Sequence, residues 1–281
     1  MTRSLPEELE FFKMAGAGND FIFIDNRRAA LNAESFPELA RLLCRRQFSV
    51  GADGLIVLET SPNASVRMHY FNADGSRALL CGNGARCAAR LAYMRVIAGR
   101  SMSLETDAGI LQAEVLEKGE VKVSLPAPAN ERLNVEVVFV GHTLCGQYLE
   151  IGVPHVVFFL KEIDNIDIMA VGRAVRNHPI FAPEGANVHF AETTSLGLRL
   201  RSYERGVEGE TLACGSGAAA AALLSARLFG TASPVPVYTR SSAVLTIHFT
   251  LDVDGSPENL ALQGETRLIC RGKITAEALA P

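Results

Sequence analysis

The chain has 281 residues, 48% hydrophobic and 21% charged, with a formal net charge of −4. An acidic balance gives no electrostatic footing for nucleic acid, and no apolar run nears the roughly 18 residues of a membrane span. Glu7, Glu8 and Glu10 ahead of Phe11-Phe12 are wrong for a secretory signal peptide. A globular protein of the cytoplasm is expected, with its six cysteines reduced.

Residues 11–25 read as strand, glycine turn and strand. The Gly16-Ala-Gly18 turn lacks the helix and spacing of a dinucleotide fingerprint, so no nicotinamide cofactor is expected. Residues 36–46 look helical, with Phe36, Leu39, Leu42 and Leu43 on one face. Gly51-Ala-Asp-Gly54 is a turn before a buried strand. Residues 66–71 alternate as a strand and deliver the turn Asn72-Ala-Asp-Gly75. A helix is expected over 83–97, then a strand meander over 101–125. Ala127-Pro-Ala-Asn130 is a plausible boundary.

The second half opens with strands up to Cys145 and from Tyr148. Residues 151–160 read as a strand interrupted by Pro154, with His155 directly behind it. Residues 170–177 look helical, and 187–192 and 198–203 look like strands. The second of these delivers Glu204-Arg-Gly206. An alanine-rich helix follows, with Gly230 as its stop, and the remainder is mainly strand.

Two segments stand out. Cys81-Gly-Asn-Gly and Cys214-Gly-Ser-Gly each put a cysteine before an alanine-rich helix, 133 residues apart. Alone, either cysteine reads equally well as a small buried residue. Other pairs echo at nearly the same offset: Gly51-Ala-Asp53 with Gly185-Ala-Asn187, Gly18 with Gly152, and Asn72 with Glu204. One order at one spacing reads as an internal duplication. Two such halves facing across a cleft would set two thiols on opposite sides of one small molecule.

Two opposed thiols suit the inversion of a Cα stereocentre. A thiolate removes the proton from one face, a thiol supplies one to the other, and the roles swap in reverse. A helix N-terminus contributes up to about 2 kcal/mol to an anion, roughly 1.5 pKa units for a thiol. His155 and Glu204 would supply the rest. No Cys-x-x-Cys or paired histidines suggest zinc, and neither a metal nor any other cofactor is expected. The competing functions are another two-thiol racemase acting on histidine, glutamate or proline, a redox switch, and a metabolite-binding module.

Taken together, Gly18-Asn-Asp-Phe21, Gly51-Ala-Asp-Gly54, Phe71-Asn-Ala-Asp-Gly75, Cys81-Gly-Asn-Gly-Ala-Arg-Cys87, Gly152-Val-Pro-His155, Gly185-Ala-Asn-Val188, Glu204-Arg-Gly206 and Ala213-Cys-Gly-Ser-Gly217 resemble the diaminopimelate epimerase family. The resemblance implies a duplicated α+β fold, each half a mixed sheet curled around a central helix. Residues 1–128 would carry Cys81 and 129–264 Cys214, with strands from about 265 to 281 returning to the first half. It implies cofactor-independent interconversion of LL- and meso-diaminopimelate, in lysine and peptidoglycan precursor synthesis. Cys81 and Cys214 would be the acid/base pair, with His155 and Glu204 assisting. Gly82, Asn83, Gly215 and Ser216 would hold the α-carboxylate by backbone groups. Asn19, Asn72, Asn187, Glu204 and Arg205 would bind substrate, Arg205 at the distal carboxylate. The chain departs from the commonest form at Gly54, at Val153 and by one added residue between Glu204 and Thr211. The expected partners are a small amino-acid substrate and a second copy of the chain.

Overall fold

The computed structural model describes residues 9–139 and 142–280. Glu7 and Glu8 of the acidic N-terminus lie outside them. The chain forms two compact units, residues 1–123 with 265–281 and residues 124–264. Among the described residues no helix is long and apolar enough to cross a membrane.

The first unit contains β1 (Leu9–Gly16), β2 (Asn19–Asp25), α1 (Phe36–Leu43), β3 (Gly54–Glu59), β4 (Val66–Asn72), β5 (Arg77–Ala78), α2 (Gly82–Met94), β6 (Ser101–Thr106), β7 (Gly109–Val115) and β8 (Glu120–Ser124). β1 and β2 are antiparallel, β2 and β3 parallel, and β3 and β4 antiparallel. β4 takes β5 antiparallel at one end and β6 parallel at the other. β7 and β8 continue antiparallel.

The second unit contains β9 (Ala129–Phe139), β10 (His142–Ile151), β11 (Val153–Phe159), α3 (Ile168–Arg176), β12 (Asn187–Thr194), β13 (Gly197–Glu204), β14 (Gly209–Thr211), α4 (Gly215–Phe229), β15 (Val235–Tyr238), β16 (Val244–Leu251) and β17 (Pro257–Glu265). Its pairings repeat those of the first unit one for one: β10–β11 antiparallel, β11–β12 parallel, β12–β13 antiparallel, β13–β14 antiparallel, β13–β15 parallel and β15–β16 antiparallel. The last strand, β18 (Arg267–Ile274), lies in the first unit, antiparallel to β1, as β9 lies against β10 in the second. The fold is a duplicated α+β architecture.

In each unit the outer helix covers one face of the sheet and the central helix the other. β3 is buried along almost its whole length because α1 and α2 both pack on it. On the outer side, Ile22, Ile24, Phe36, Leu39, Leu43, Leu55 and Phe71 form one core. Val137, Val156, Phe158, Val175, Val188, Phe190 and Tyr203 form its counterpart. The central helices carry small residues because the sheet wraps them closely. Ala218 to Ala222 of α4 have no solvent exposure, and α4 touches β10, β11, β12, β13, β15 and β16. Gly230, at φ 69°, ends it in the left-handed conformation that only glycine adopts without strain.

Several element boundaries differ from the sequence reading; α1 ends at Leu43 rather than residue 46, and α3 runs Ile168–Arg176 rather than 170–177. The expected break between Cys145 and Tyr148 does not occur, and β10 runs through it. Gly146 is there because the Val156 and Phe158 side chains of β11 would come within 2.8 Å of any Cβ. The expected interruption at Pro154 falls instead at Gly152, where φ is 71°. Pro154 sits inside β11. The first cysteine helix stops at Met94 rather than residue 97.

The second glycine of each Cys-Gly-x-Gly segment lies inside the helix, not in a flexible turn, and sets how closely the helix meets the sheet. A Cβ at Gly84 would come to 2.8 Å of Ile56 Cδ1, the mobile end of a side chain. A Cβ at Gly217 would come to 2.2 Å of His189 Cε1 and 2.5 Å of Nε2, atoms of a rigid ring. Alanine favours helix over glycine by about 0.5–1 kcal/mol. Gly84→Ala should therefore be close to neutral in stability. Gly217→Ala should cost about 1–3 kcal/mol by overpacking, read as a lower urea midpoint at unchanged slope.

Candidate active site

Cys81 and Cys214 are the N-cap residues of α2 and α4, both with extended backbone. The first intrahelical bonds are Ala85 N–H to Cys81 C=O at 2.8 Å and Ala218 N–H to Cys214 C=O at 2.9 Å. Gly82, Asn83 and Gly84, like Gly215, Ser216 and Gly217, thus form first turns whose N–H groups lack intrahelical acceptors, the usual place for an anion.

In the second unit the structure gathers Cys214, Glu204, His155 and Ser216. The Cys214 thiol donates to the Glu204 carboxylate and accepts from Gly217 N–H. Ser216 Oγ is 3.9 Å from its sulfur. The Thr211 hydroxyl donates to Glu204 Oε1. Burial raises the pKa of Glu204. Burial, and then the Glu204 charge, push the Cys214 thiol well above its ordinary value. This corrects the expectation that the helix N-terminus would ionise part of the thiol and that Glu204 would help supply the rest: the N–H of Gly217 lowers its pKa, but desolvation outweighs it and the Glu204 carboxylate acts in the opposite sense.

His155 has no solvent exposure, and its Nδ1 is 2.9 Å from His189 Nε2. His189 Nδ1 is in turn 2.9 Å from Ser202 Oγ. Burial lowers the pKa of His155 to about 3 and that of His189 well below 6.5, so both rings are neutral at physiological pH. One ligand atom each of His155, His189 and Cys214 lie within 4.8 Å of one another. The set has zinc-type donors, yet two of its imidazole nitrogens are already spent on each other.

Asn187 lies opposite His155 in the parallel β11–β12 ladder. Its Nδ2 donates to Pro154 C=O at 3.3 Å, and its Oδ1 accepts Arg205 N–H at 2.8 Å. The Arg205 guanidinium pairs with Glu184 at 3.0 Å, where the carboxylate is mostly exposed.

In the first unit, Asn83 Nδ2 donates to Asn19 Oδ1 at 2.6 Å, and Asn19 Nδ2 to Asp53 Oδ2 at 3.0 Å. Asn72 Oδ1 accepts from Tyr70 at 2.9 Å, and its Nδ2 donates to Ser76 at 2.9 Å. Gly54 leaves room for that tyrosine, since a Cβ there would stand 2.6 Å from Tyr70 Cε2.

Arg86, His189 and Ser202 were not singled out in the sequence. The Arg86 side chain has no solvent exposure. Its Nη2 donates to Asn83 Oδ1 at 2.9 Å, and its Nε lacks a hydrogen-bond partner. Burial lowers the pKa of Arg86, and the neighbouring Cys87, Cys81 and Glu265 act in the opposite sense. The CGNGAR run gave a signal for it, an arginine at the position Ala219 fills in the second helix. His189 gave none because both faces of β12 are buried around it, and Ser202 gave none because it is a polar residue on the buried face of β13 that Leu198 and Leu200 share. A surface hollow lined by Asn130, Glu131, Arg227 and Asp254 lies toward the other end of α4 and touches none of these groups.

Residues 11–129 and 147–250 match the family model for diaminopimelate epimerase. The chain belongs to the diaminopimelate epimerase family. It is 42% identical to the diaminopimelate epimerase of Hydrogenobaculum sp. strain Y04AAS1, over 94% of this chain and 98% of that one. It is 40% identical to that of Aquifex aeolicus, over 96% and 99%. Among solved structures, a PhzF-family phenazine biosynthesis protein from Bacillus anthracis superposes with a TM-score of 0.76 at 17% identity, covering 96% of this chain and 99% of that one. A hydroxyproline epimerase from Agrobacterium vitis superposes with 0.72 at 12%, covering 96% and 93%. These two share the fold.

A protonated Cys214 has a direct consequence in this diaminopimelate epimerase family member. Alkylation of its peptide by iodoacetamide should be negligible at pH 7–8 and rise only in the alkaline range. Glu204→Gln removes a negative charge beside the sulfur and should shift that rise to lower pH. An unchanged profile would show that Glu204 does not act on the thiol.

Proposed function

We propose that this chain is a diaminopimelate epimerase interconverting the LL and meso forms by a two-thiol mechanism without a cofactor. The observation that carries the mechanism is the pair of cysteines capping two duplicated central helices, each at a first turn with N–H groups to offer.

Each thiol serves one face of the substrate Cα. The thiolate takes the Cα proton as the C–H electron pair moves into the α-carboxylate, and the opposite thiol then protonates the carbon. The sulfurs exchange roles, and the cycle closes without net gain or loss of protons. First-turn N–H groups of Gly82, Asn83, Gly215 and Ser216 bind the α-carboxylate as its charge grows. The two units supply different electrostatics. Arg86, a fully buried cation, favours an anionic Cys81. Glu204 disfavours an anionic Cys214. Cys214 is therefore the protonated thiol before substrate binds, and the proposed mechanism leaves Cys81 to take the first proton. Glu204 and His155 then serve the Cys214 sulfur.

Asn19, Asn72 and Asn187 hold the substrate's polar groups. Arg205 exchanges its exposed partner Glu184 for the distal carboxylate, a pairing its planar fork makes bidentate. The enzyme works in the cytoplasm, where six cysteines stay reduced. It does so as a homodimer, which sedimentation velocity on the purified protein checks.

The chemistry is tested by incubating the protein with LL-diaminopimelate in deuterated water and reading label at one Cα. Cys81→Ala and Cys214→Ala should each abolish epimerisation, whereas Cys145→Ala and Cys270→Ala should retain it. Near-normal turnover in either of the first two removes the two-thiol mechanism. Arg205→Lys should raise KM more than it lowers kcat, because the distal contact is equal in ground and transition states.

A further inference from the structure

The duplicated fold offers an internal comparison at the His155–His189–Ser202 chain. His189 pairs with Ser202 across β12–β13, as Ile56 pairs with Tyr70 across β3–β4. Val157, two residues past His155, pairs with His189, as Phe23, two past Phe21, pairs with Ile56. Gly217 presses on His189 where Gly84 presses on Ile56. The same three positions thus hold Phe21, Ile56 and Tyr70 in one unit and His155, His189 and Ser202 in the other. The fold itself does not need imidazoles there.

Burying two imidazoles is costly without a return, and burial of both makes them neutral. Each neutral ring has one N–H, so two proton orders are open. In one, Ser202 O–H donates to His189 Nδ1, His189 Nε2–H donates to His155 Nδ1, and His155 keeps its proton on Nε2. In the other, His155 Nδ1–H donates to His189 Nε2, and His189 Nδ1–H donates to Ser202 Oγ. That second order strands the hydroxyl proton, because His189 is its one hydrogen-bond partner among the described residues. It also leaves His155 Nε2 bare and buried, with no partner. The first order leaves a single group open, an N–H at His155 Nε2. One fewer stranded polar group weights the first order by about tenfold.

Resting on the two-thiol reading above, we propose that His189 and Ser202 are positioning residues that hold His155 as its Nε2–H tautomer, a neutral hydrogen-bond donor and not a base. An N–H there meets an anion. In this site the anion is the Cys214 thiolate formed after it protonates carbon, or the substrate α-carboxylate. A neutral donor stabilises it without adding a buried cation near the Arg205 charge. Proton transfer to carbon remains the task of the thiols.

The test is nitrogen NMR of the full chain carrying 15N-histidine, with His155 assigned by loss of its signals in His155→Asn, alongside steady-state kinetics of the same samples. The wild type should show Nε2 protonated and Nδ1 bare at His155. Ser202→Ala should mix the tautomers and lower kcat about 3- to 10-fold, the value of one neutral hydrogen bond, with KM unchanged. Ser202→Thr, which keeps the hydroxyl, should restore both. His189→Leu, an aliphatic residue as at Ile56, should fold and show the same kcat loss. A wild-type His155 protonated on Nδ1 would overturn the proposal. So would a Ser202→Ala enzyme with its tautomers and kcat intact, or one whose loss lies wholly in KM. If the wild type does not epimerise at all, the proposed function fails, while the nitrogen spectrum still decides the tautomer.

Discussion

The closeness of each central helix to its own sheet governs the rest of the structure. Gly84 and Gly217 lie in first turns pressed against the sheet, Gly84 on the mobile end of Ile56 and Gly217 on the rigid ring of His189. That contact fixes the helix N-terminus, and the cap residue before it can only be where Cys81 and Cys214 are. The alanine run of α4 serves the same end, since larger residues would hold the sheet away. Chemistry at a helix N-terminus needs N–H groups placed to a fraction of an ångström, and close packing supplies that rigidity.

Duplication gave two equal scaffolds, and side chains at matching positions then made them unequal. One first turn has a fully buried arginine where the other has an alanine. One carries Asn72 at the end of its β4 strand, and the other carries Glu204 at the end of β13. In the proposed two-thiol reaction one thiol is ionised while the other is protonated; repulsion between two thiolates separates the ionisations of even a symmetric pair, and unlike surroundings bias which sulfur holds the proton.

Burial reorders the sequence-level electrostatics. A helix N-terminus favours a thiolate by roughly 1.5 pKa units. At Cys214 that gain is outweighed by desolvation and by Glu204. The two terms have different origins. The dipole acts through a few N–H groups, whereas desolvation acts over the whole surface of the sulfur. The same logic applies to Arg86, whose charge is held without a carboxylate in hydrogen-bond contact.

The sequence by itself determined the duplication, the caps and the family. Cys81 and Cys214 were legible because the glycine–alanine pattern that follows each is local and repeats at one spacing. Strand periodicity and turn glycines likewise gave most elements, since those follow from neighbouring residues. Glycines misled where their reason was distant: Gly146 read as a break and proved to be a contact with β11. Only the tertiary structure decided how the thiols are tuned. His155, His189 and Ser202 are far apart in the chain and become one hydrogen-bonded line through parallel and antiparallel registers. Arg86 and Glu204 take their meaning from burial. Periodicity reports which face of an element is covered, but not which polar atom sits against which, and pKa shifts depend on the latter.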